Sequence, residues 1–170
     1  MQDSPLSLVG CSLEQVAFVV RDLDIAQTFF RQSIGISRFY VIDHFGSRAT
    51  DTTLRGVPAK HDFSIALAYS GNTQIELIQH LSGDTCYKEF LERRGDGMHH
   101  LGFFMDDLEH YENVLREFGN NGFSVLQSGR FGDALYTYYD TEGAIGAVME
   151  IVYIDPGSRE LMARIKRGDF

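Results

Sequence analysis

One stretch of this chain occurs twice, and the repetition limits what it can fold into. Gln15-Val16-Ala17-Phe18-Val19-Val20-Arg21-Asp22-Leu23-Asp24 aligns with His100-Leu101-Gly102-Phe103-Phe104-Met105-Asp106-Asp107-Leu108-Glu109, 85 positions further on. Phe18 then falls on Phe103, Asp22 on Asp107 and Leu23 on Leu108. A second pair repeats at an offset of 74, with Gln74-Ile75-Glu76-Leu77-Ile78 on Val148-Met149-Glu150-Ile151-Val152. Each copy opens on a strand-like segment carrying a ligand-type side chain, Gln15 or His100. Each closes on one carrying a carboxylate, Glu76 or Glu150. Two copies therefore bring four ligand-type side chains toward one place.

Local patterns fill in the unit. Leu13 to Val20 is apolar and rich in Val and Phe, a strand signature. Asp22 follows as a helix N-cap, Ile25, Phe29 and Phe30 recur at helical spacing, and Gly35 is the stop. Arg38 to Phe45 reads as a second strand, and Gly46 to Lys60 as a polar, irregular loop able to cover a pocket. Phe63 to Tyr69 and Thr73 to Gln79 read as strands joined across Ser70-Gly71-Asn72. The connector Leu81 to Gly97 holds a short helix, Thr85 to Arg94, with Tyr87, Phe90 and Leu91 on its apolar side.

The second copy runs in the same order. Met98 to Met105 is its first strand, Asp106 or Asp107 its cap, and Tyr111, Val114, Leu115 and Phe118 the buried stripe of its helix. Gly119 and Asn120-Asn121-Gly122 end that helix. Phe123 to Gln127, Ala134 to Tyr139 and Ala147 to Ile154 complete the unit. Pro156-Gly157 breaks the chain, and Ser158 to Arg167 is expected to be a polar, peripheral helix. The prediction is a single α+β domain of two βαβββ modules, about 12–80 and about 97–154, plus a C-terminal helix at about 158–167. A βαβββ unit has one open, curved sheet face; two side by side form a concave half-barrel.

Alternation along strands assigns faces. Gln15 shares a face with Ala17 and Val19, His100 with Gly102 and Phe104, and these are expected in the concavity. His99, Leu101 and Phe103 are expected against the helix. Glu76 and Glu150 lie opposite in parity to Ile75 and Leu77, and to Met149 and Ile151. A polar side chain inside an apolar strand is costly unless it is hydrogen-bonded, charge-paired or bound to a cation. Finding four at repeat-equivalent places points to a shared site. Asp22 and Asp107 read as caps, not ligands, and Tyr136-Thr137-Tyr138-Tyr139 as strand core or pocket lining.

Bulk properties narrow the partners. The 170 residues are 44% hydrophobic, enough for a real core, and the net charge of −9 disfavours nucleic acid and anionic membranes. No stretch nears the ~20 apolar residues that span a bilayer, and Met1 to Gly10 lacks the pattern of a secretory leader. The two cysteines, Cys11 and Cys86, form no CxxC pair and are read as inert thiols of a reducing, cytoplasmic setting. Arg48, Arg55, Lys60, Arg93, Arg94 and Arg130 are candidate anchors for an anionic substrate tail such as CoA phosphates; the usual fate of such charges is a solvated surface.

Four segments in order, Glu14-Gln15-Val16-Ala17-Phe18-Val19-Val20-Arg21-Asp22-Leu23, Gln74-Ile75-Glu76-Leu77-Ile78, Gly97-Met98-His99-His100-Leu101-Gly102-Phe103 and Val148-Met149-Glu150-Ile151-Val152, resemble the vicinal oxygen chelate superfamily. This is the glyoxalase, bleomycin-resistance and extradiol-dioxygenase group. The resemblance spans about residues 12–154. It implies metal ligands at Gln15, Glu76, His100 and Glu150. It also implies one divalent ion (Zn, Co, Ni, Mn or Fe) and a homodimer.

The set is similar to that of glyoxalase I, while Gly97 to Phe103 and the overall length are closer to methylmalonyl-CoA epimerases. Glyoxalase I carries an Arg four residues past its first ligand and an Asn four past its second, both for glutathione; here these are Val19 and His80. An extradiol dioxygenase needs two His and one carboxylate around Fe(II), and Gln15 stands in place of one His.

Such a site takes a small molecule that chelates through two oxygens, and it stabilises the enolate left when an α-proton departs. Glu76 and Glu150, from opposite modules, are the expected bases. The implied activity is a methylmalonyl-CoA epimerase-like isomerase. A lactoylglutathione lyase of the glyoxalase I kind and a metal-free binding protein of the bleomycin-resistance kind are the alternatives.

Overall fold

The computed structural model describes residues 12–170; Cys11 and the segment before it lie outside the described residues. The first module begins with strand β1 (Leu13–Val20), helix α1 (Leu23–Ile34), β2 (Tyr40–Ile42), α2 (Phe45–Arg48) and the short strands β3 (Thr50–Leu54) and β4 (Val57–Pro58). Two long strands, β5 (His61–Ser70) and β6 (Thr73–Gly83), complete it, and α3 (Cys86–Arg94) connects to the second module. That module comprises β7 (Gly97–Met105), α4 (Leu108–Asn120), β8 (Val125–Phe131), β9 (Ala134–Tyr139), α5 (Glu142–Ile145) and β10 (Val148–Tyr153), and α6 (Pro156–Arg167) ends the chain.

The ten strands among the described residues join one mixed sheet in the order β2-β5-β6-β1-β7-β10-β9-β8-β3-β4. The modules meet at its centre, where β1 and β7 run antiparallel. The sheet curls into a half-barrel. Its convex face is covered by α1, over Phe18, Val20, Ile75 and Leu77, and by α4, over Met105, Tyr139 and Ile151. The concave face carries Ala17, Val19, Phe63, Ile65, Leu67, Ile78, Tyr136, Tyr138 and Val148. This is the parity expected from alternation, with the larger apolar set under each helix.

The caps explain where the covering helices start. Asp22 and Asp107 lie in extended conformation and accept from the backbone N–H of Ile25 and Glu109, satisfying donors that a helix N-terminus leaves free. Gly35 ends α1 in the left-handed conformation that glycine adopts without strain. The stripe of α1 differs from expectation. Leu23, Gln27 and Phe30 are buried, whereas Ile25 and Phe29 project outward. The spacing i, i+4, i+7 from Leu23 faces the sheet, and Ile25 and Phe29 lie off that line.

Three further expectations are corrected. The strand at Arg38 to Phe45 shrinks to Tyr40–Ile42. The loop at 46–60 is structured: α2 leads into β3 and β4, and β3 pairs antiparallel with β8 of the other module, with the Thr53 and Ser128 hydroxyls 2.8 Å apart. Residues 45–58 thus form a strap from one module to the other, and Phe45 stacks on Phe131 with ring centroids 4.1 Å apart. Finally, α6 is not peripheral. Pro156 starts it rather than breaking the chain, Asp155 caps it, and Leu161, Met162 and Ile165 pack into the concave core.

Candidate functional site

Repeat symmetry sets the site. In the first module β1 and β6 are parallel, with Gln15 beside Gln74 and Ala17 beside Glu76. In the second, β7 and β10 are parallel, with His100 beside Val148 and Gly102 beside Glu150. Gln15 also lies directly across from Gly102. All four residues singled out from the sequence, Gln15, Glu76, His100 and Glu150, are buried and come together at the module junction.

The His100 imidazole is the hub. Its Nε2 lies 3.1 Å from Gln15 Oε1, 3.3 Å from Glu76 Oε2 and 3.3 Å from Glu150 Oε2. The four side chains contact one another, and among the described residues no three His, Cys, Asp or Glu stand at metal-ligating spacing. Beyond the 3.3 Å ion-pair contact with His100, Glu76 Oε2 accepts no hydrogen bond among the described residues. Burial pushes the Glu76 carboxyl above the usual range. Burial would lower the His100 pKa, but Glu150 and Glu76 outweigh it and hold it at about 9. In this state the imidazolium is the cation that two inward carboxylates require.

A polar relay fixes the Gln15 amide. Its nitrogen donates to Gln74 Oε1 at 2.7 Å, and the Gln74 nitrogen in turn reaches Tyr69 Oη at 3.1 Å and Met162 Sδ at 2.8 Å. This leaves Gln15 Oε1 turned toward His100. Gly102 gives the room: a Cβ there would sit 2.7 Å from Gln15 Oε1, 3.0 Å from Gln15 Cβ and 3.3 Å from Glu150 Oε2. Gln74 was not singled out in the sequence; its signal is parity, two residues before Glu76 on the same face.

His99 departs from expectation. Ala17 pairs with His100 but Phe18 with Met98, so His99 is the extra residue of a β-bulge. Its ring leaves the Leu101–Phe103 face and packs on Tyr87, Phe90 and Tyr138, with Nδ1 3.0 Å from His100 Nδ1. Burial drives its pKa well down, so it is neutral. The tyrosine run divides by parity. Tyr138 lies edge-on to His100 and shares a hydroxyl contact with Tyr87, Tyr136 lines the cavity, and Thr137 and Tyr139 lie under α4.

A cavity of about 130 Å³ opens beside Gln15, Glu76 and Glu150. Phe45, Phe131, Phe104, Leu161 and Met162 help enclose it, so the strap and α6 both contribute wall. None of the six candidate cationic anchors lines it. Arg55 pairs with Glu89, Arg93 and Arg94 with Glu142, and Arg130 with Asp51, while Arg48 lies over the Phe131 ring. Cys86 is buried and its thiol is pushed far up, so it is inert. No described helix is long and apolar enough to cross a membrane.

A curled mixed sheet from two repeated modules, with four polar side chains meeting at their junction, is the architecture of the glyoxalase-like proteins. The sequence matches the Glyoxalase/Bleomycin resistance protein/Dioxygenase superfamily over residues 14–139, and the chain belongs to that superfamily. Among curated proteins it is similar to the mitochondrial methylmalonyl-CoA epimerase of Mus musculus, 29% identical over 108 residues, which is 63% of this chain and 52% of the relative. The match thus spans about half of that relative's length.

Solved structures share the fold at low identity. Methylmalonyl-CoA epimerase from Mycobacterium tuberculosis superposes with a TM-score of 0.62 at 18% identity, covering 91% of this chain and 98% of that one. A variant of the Streptomyces coelicolor methylmalonyl-CoA epimerase in complex with 2-nitronate-propionyl-CoA gives 0.58 at 18% identity, over 83% and 95% of the two chains.

Proposed function

We propose that the chain is a divalent-metal-dependent epimerase or isomerase that moves an α-proton on an acyl thioester, in the manner of a methylmalonyl-CoA epimerase. One observation carries the reading: two buried glutamates, one from each module, converge with Gln15 on His100 at the wall of an apolar cavity. The similarity to methylmalonyl-CoA epimerases supports it.

Two carboxylates, an amide oxygen and an imidazole are donor types that suit a divalent ion, which would replace the contacts they make with one another. Glu76 Oε2 is a buried carboxylate oxygen whose contact with His100 Nε2 is a long 3.3 Å, and the Gly102 clearance keeps the Gln15 and Glu150 oxygens free to approach a common point. The 3.1–3.3 Å separations around His100 Nε2 are close to the roughly 3 Å between neighbouring donors of a six-coordinate ion with ligands at about 2.1 Å. Gln15, Glu76, His100 and Glu150 would hold it. A bound divalent ion would supply Lewis-acid polarisation of the substrate's two oxygens.

The chain supplies the rest. Glu76 and Glu150 enter from opposite modules, so one takes the α-proton and the other returns a proton to the opposite face. The raised pKa of Glu76 suits a group that must accept and release a proton. Tyr138 and His99 pack the hub from behind and keep the imidazole in place. A glyoxalase I-like reaction is less well served: Val19 is fully buried and the His80 ring is engaged by Thr85.

The test is elemental analysis of the purified protein and of a quadruple alanine variant at Gln15, Glu76, His100 and Glu150. It is paired with deuterium exchange at the α-carbon of acyl thioesters. One ion per chain, lost in the variant, with catalysed exchange is the expected result. A folded protein that takes up no Zn(II), Co(II) or Ni(II) would move a metal-free binding protein to first place.

A further inference from the structure

Two buried imidazoles meet at the module junction, and only one of them faces Gln15, Glu76 and Glu150. The β-bulge that sets Ala17 against His100 and Phe18 against Met98 leaves His99 as the extra residue. Its ring meets that of His100 edge to face, with 86° between the planes, and the two Nδ1 atoms lie 3.0 Å apart.

A contact this short between ring nitrogens holds one proton, because two lone pairs or two N–H groups would repel. The surroundings decide which ring carries it. His100 Nε2 faces three oxygens, Gln15 Oε1 at 3.1 Å and the Glu76 and Glu150 carboxylates at 3.3 Å. With an ion on Nε2, a neutral imidazole has its single proton on Nδ1. With no ion there, the two carboxylates favour the imidazolium, which carries Nδ1–H as well. His100 is the donor at Nδ1 in both states.

His99 is then the acceptor. Its ring packs against Tyr87, Phe90 and Tyr138, a setting that favours the neutral imidazole. A neutral imidazole accepting at Nδ1 has its proton on Nε2. His99 also lines a second, polar cavity of about 220 Å³, together with Glu89, Asp140 and Glu142, which supply acceptors on that side.

We propose that His99 is a positioning residue of the site: its Nδ1 accepts the Nδ1–H of His100 and so fixes Nε2 as the edge presented to Gln15, Glu76 and Glu150. Packing alone does not do this. A half-turn of the His100 ring about Cβ–Cγ keeps its outline but puts Cε1 in the place of Nε2 and Cδ2 in the place of Nδ1. The surrounding aromatic rings do not distinguish the two settings; the hydrogen bond does. The consequence for metal binding rests on the metal-dependent reading above, whereas the bond itself does not.

The bond is tested first, without metal. In protein carrying nitrogen-labelled histidine, a scalar coupling between the two Nδ1 nuclei is expected, with His99 protonated at Nε2 alone. No coupling, or a proton on His99 Nδ1, would overturn the assignment.

Two variants then separate positioning from packing. His99→Phe keeps an aromatic ring and loses the acceptor; His99→Asn loses the ring and keeps an acceptor oxygen near the place of Nδ1. Zn(II) affinity, read by competition with a chelator, should fall about ten- to a hundredfold in His99→Phe and stay within about threefold of the parent in His99→Asn. Thermal unfolding should rank the two variants the other way. Affinity that instead follows thermal stability, tighter in His99→Phe, would reduce His99 to packing and overturn the proposal. A protein that shows the coupling but takes up no metal would end the metal-dependent reading and leave the His99 assignment standing.

Discussion

In the first module Glu76 sits beside Ala17, two residues past Gln15; in the second Glu150 sits beside Gly102, two residues past His100. The register is the same, but the neighbours are not. Gln15 is held by the neutral Gln74 relay, whereas His100 carries a charge that its two glutamates sustain. The duplicated geometry delivers two carboxylates from opposite sides, and the differences assign unlike duties to the halves. The first module supplies a fixed amide and the strap, the second the titrating hub and the clearance at Gly102.

The largest expected effect tests whether the two carboxylates are equivalent. Glu76→Gln and Glu150→Gln should each lower epimerisation by about a thousandfold or more. If each serves one face, each variant should still exchange the α-proton of one epimer, seen by stereospecific deuterium incorporation. Loss of both exchanges in one variant and retention of both in the other would assign all proton transfer to a single glutamate and break the symmetry.

Of the repeat-equivalent residues Gln15 and His100, only the second titrates. His100 must lose its proton to bind a metal, so below its pKa of about 9 the affinity should fall about tenfold per pH unit. In the metal-free protein His100 also makes stability depend on pH. The folded pKa lies above the unfolded value of 6.5, so the contribution of the His100 cation is full below 6.5 and is lost as pH rises through about 9. Denaturation against pH, with and without metal, checks both; a pH-independent metal affinity would show that His100 is not a ligand.

Gly102 and Ala17 occupy the same place in the two copies. Gly102→Ala drives a methyl into Gln15 and Glu150 and should weaken metal binding about ten- to a hundredfold. Ala17→Gly removes a buried methyl from the other copy and should cost about 1–2 kcal/mol of stability with metal binding unchanged. Equal effects on the metal would mean that the clearance at Gly102 has no special role.

Much of this was legible in the repeat. Apolar alternation placed Gln15, Glu76, His100 and Glu150 inward because a one-residue slip would turn every strand inside out. What stayed hidden depended on partners far along the chain. The bulge at His99 is a mismatch in length between β1 and β7, and neither strand shows it alone. The threonine-rich segment at 50–54 is a strand only because β8 offers it an edge. The C-terminal helix looked polar, yet Leu161, Met162 and Ile165 fall on one face and find the open concavity.

The strap is a difference with no counterpart in the second copy. Phe45→Ala breaks its stack on Phe131 and opens the cavity wall. It should cost about 2 kcal/mol in denaturant unfolding and weaken ligand binding about tenfold, with metal content intact. Unchanged ligand affinity would reduce the strap to a structural tie.

The smallest expected effects lie at repeat-equivalent positions of opposite charge, Arg21 and Asp106. Arg21 pairs with Asp96 at 2.6 Å, both well exposed. Asp106 pairs with Arg159 of α6, which also holds Glu14 at 2.7 Å. An exposed pair gains little because water screens it and two side chains must be ordered. Arg21→Ala should therefore change stability by about 0.5 kcal/mol or less. Arg159→Met removes a charge joining both modules to α6, and its guanidinium is about one-third exposed; about 1 kcal/mol should be lost, more at low salt than at high. Equal losses for the two variants would mean that the tie through α6 adds nothing beyond an ordinary surface pair, and that Leu161, Met162 and Ile165 alone hold the helix over the site.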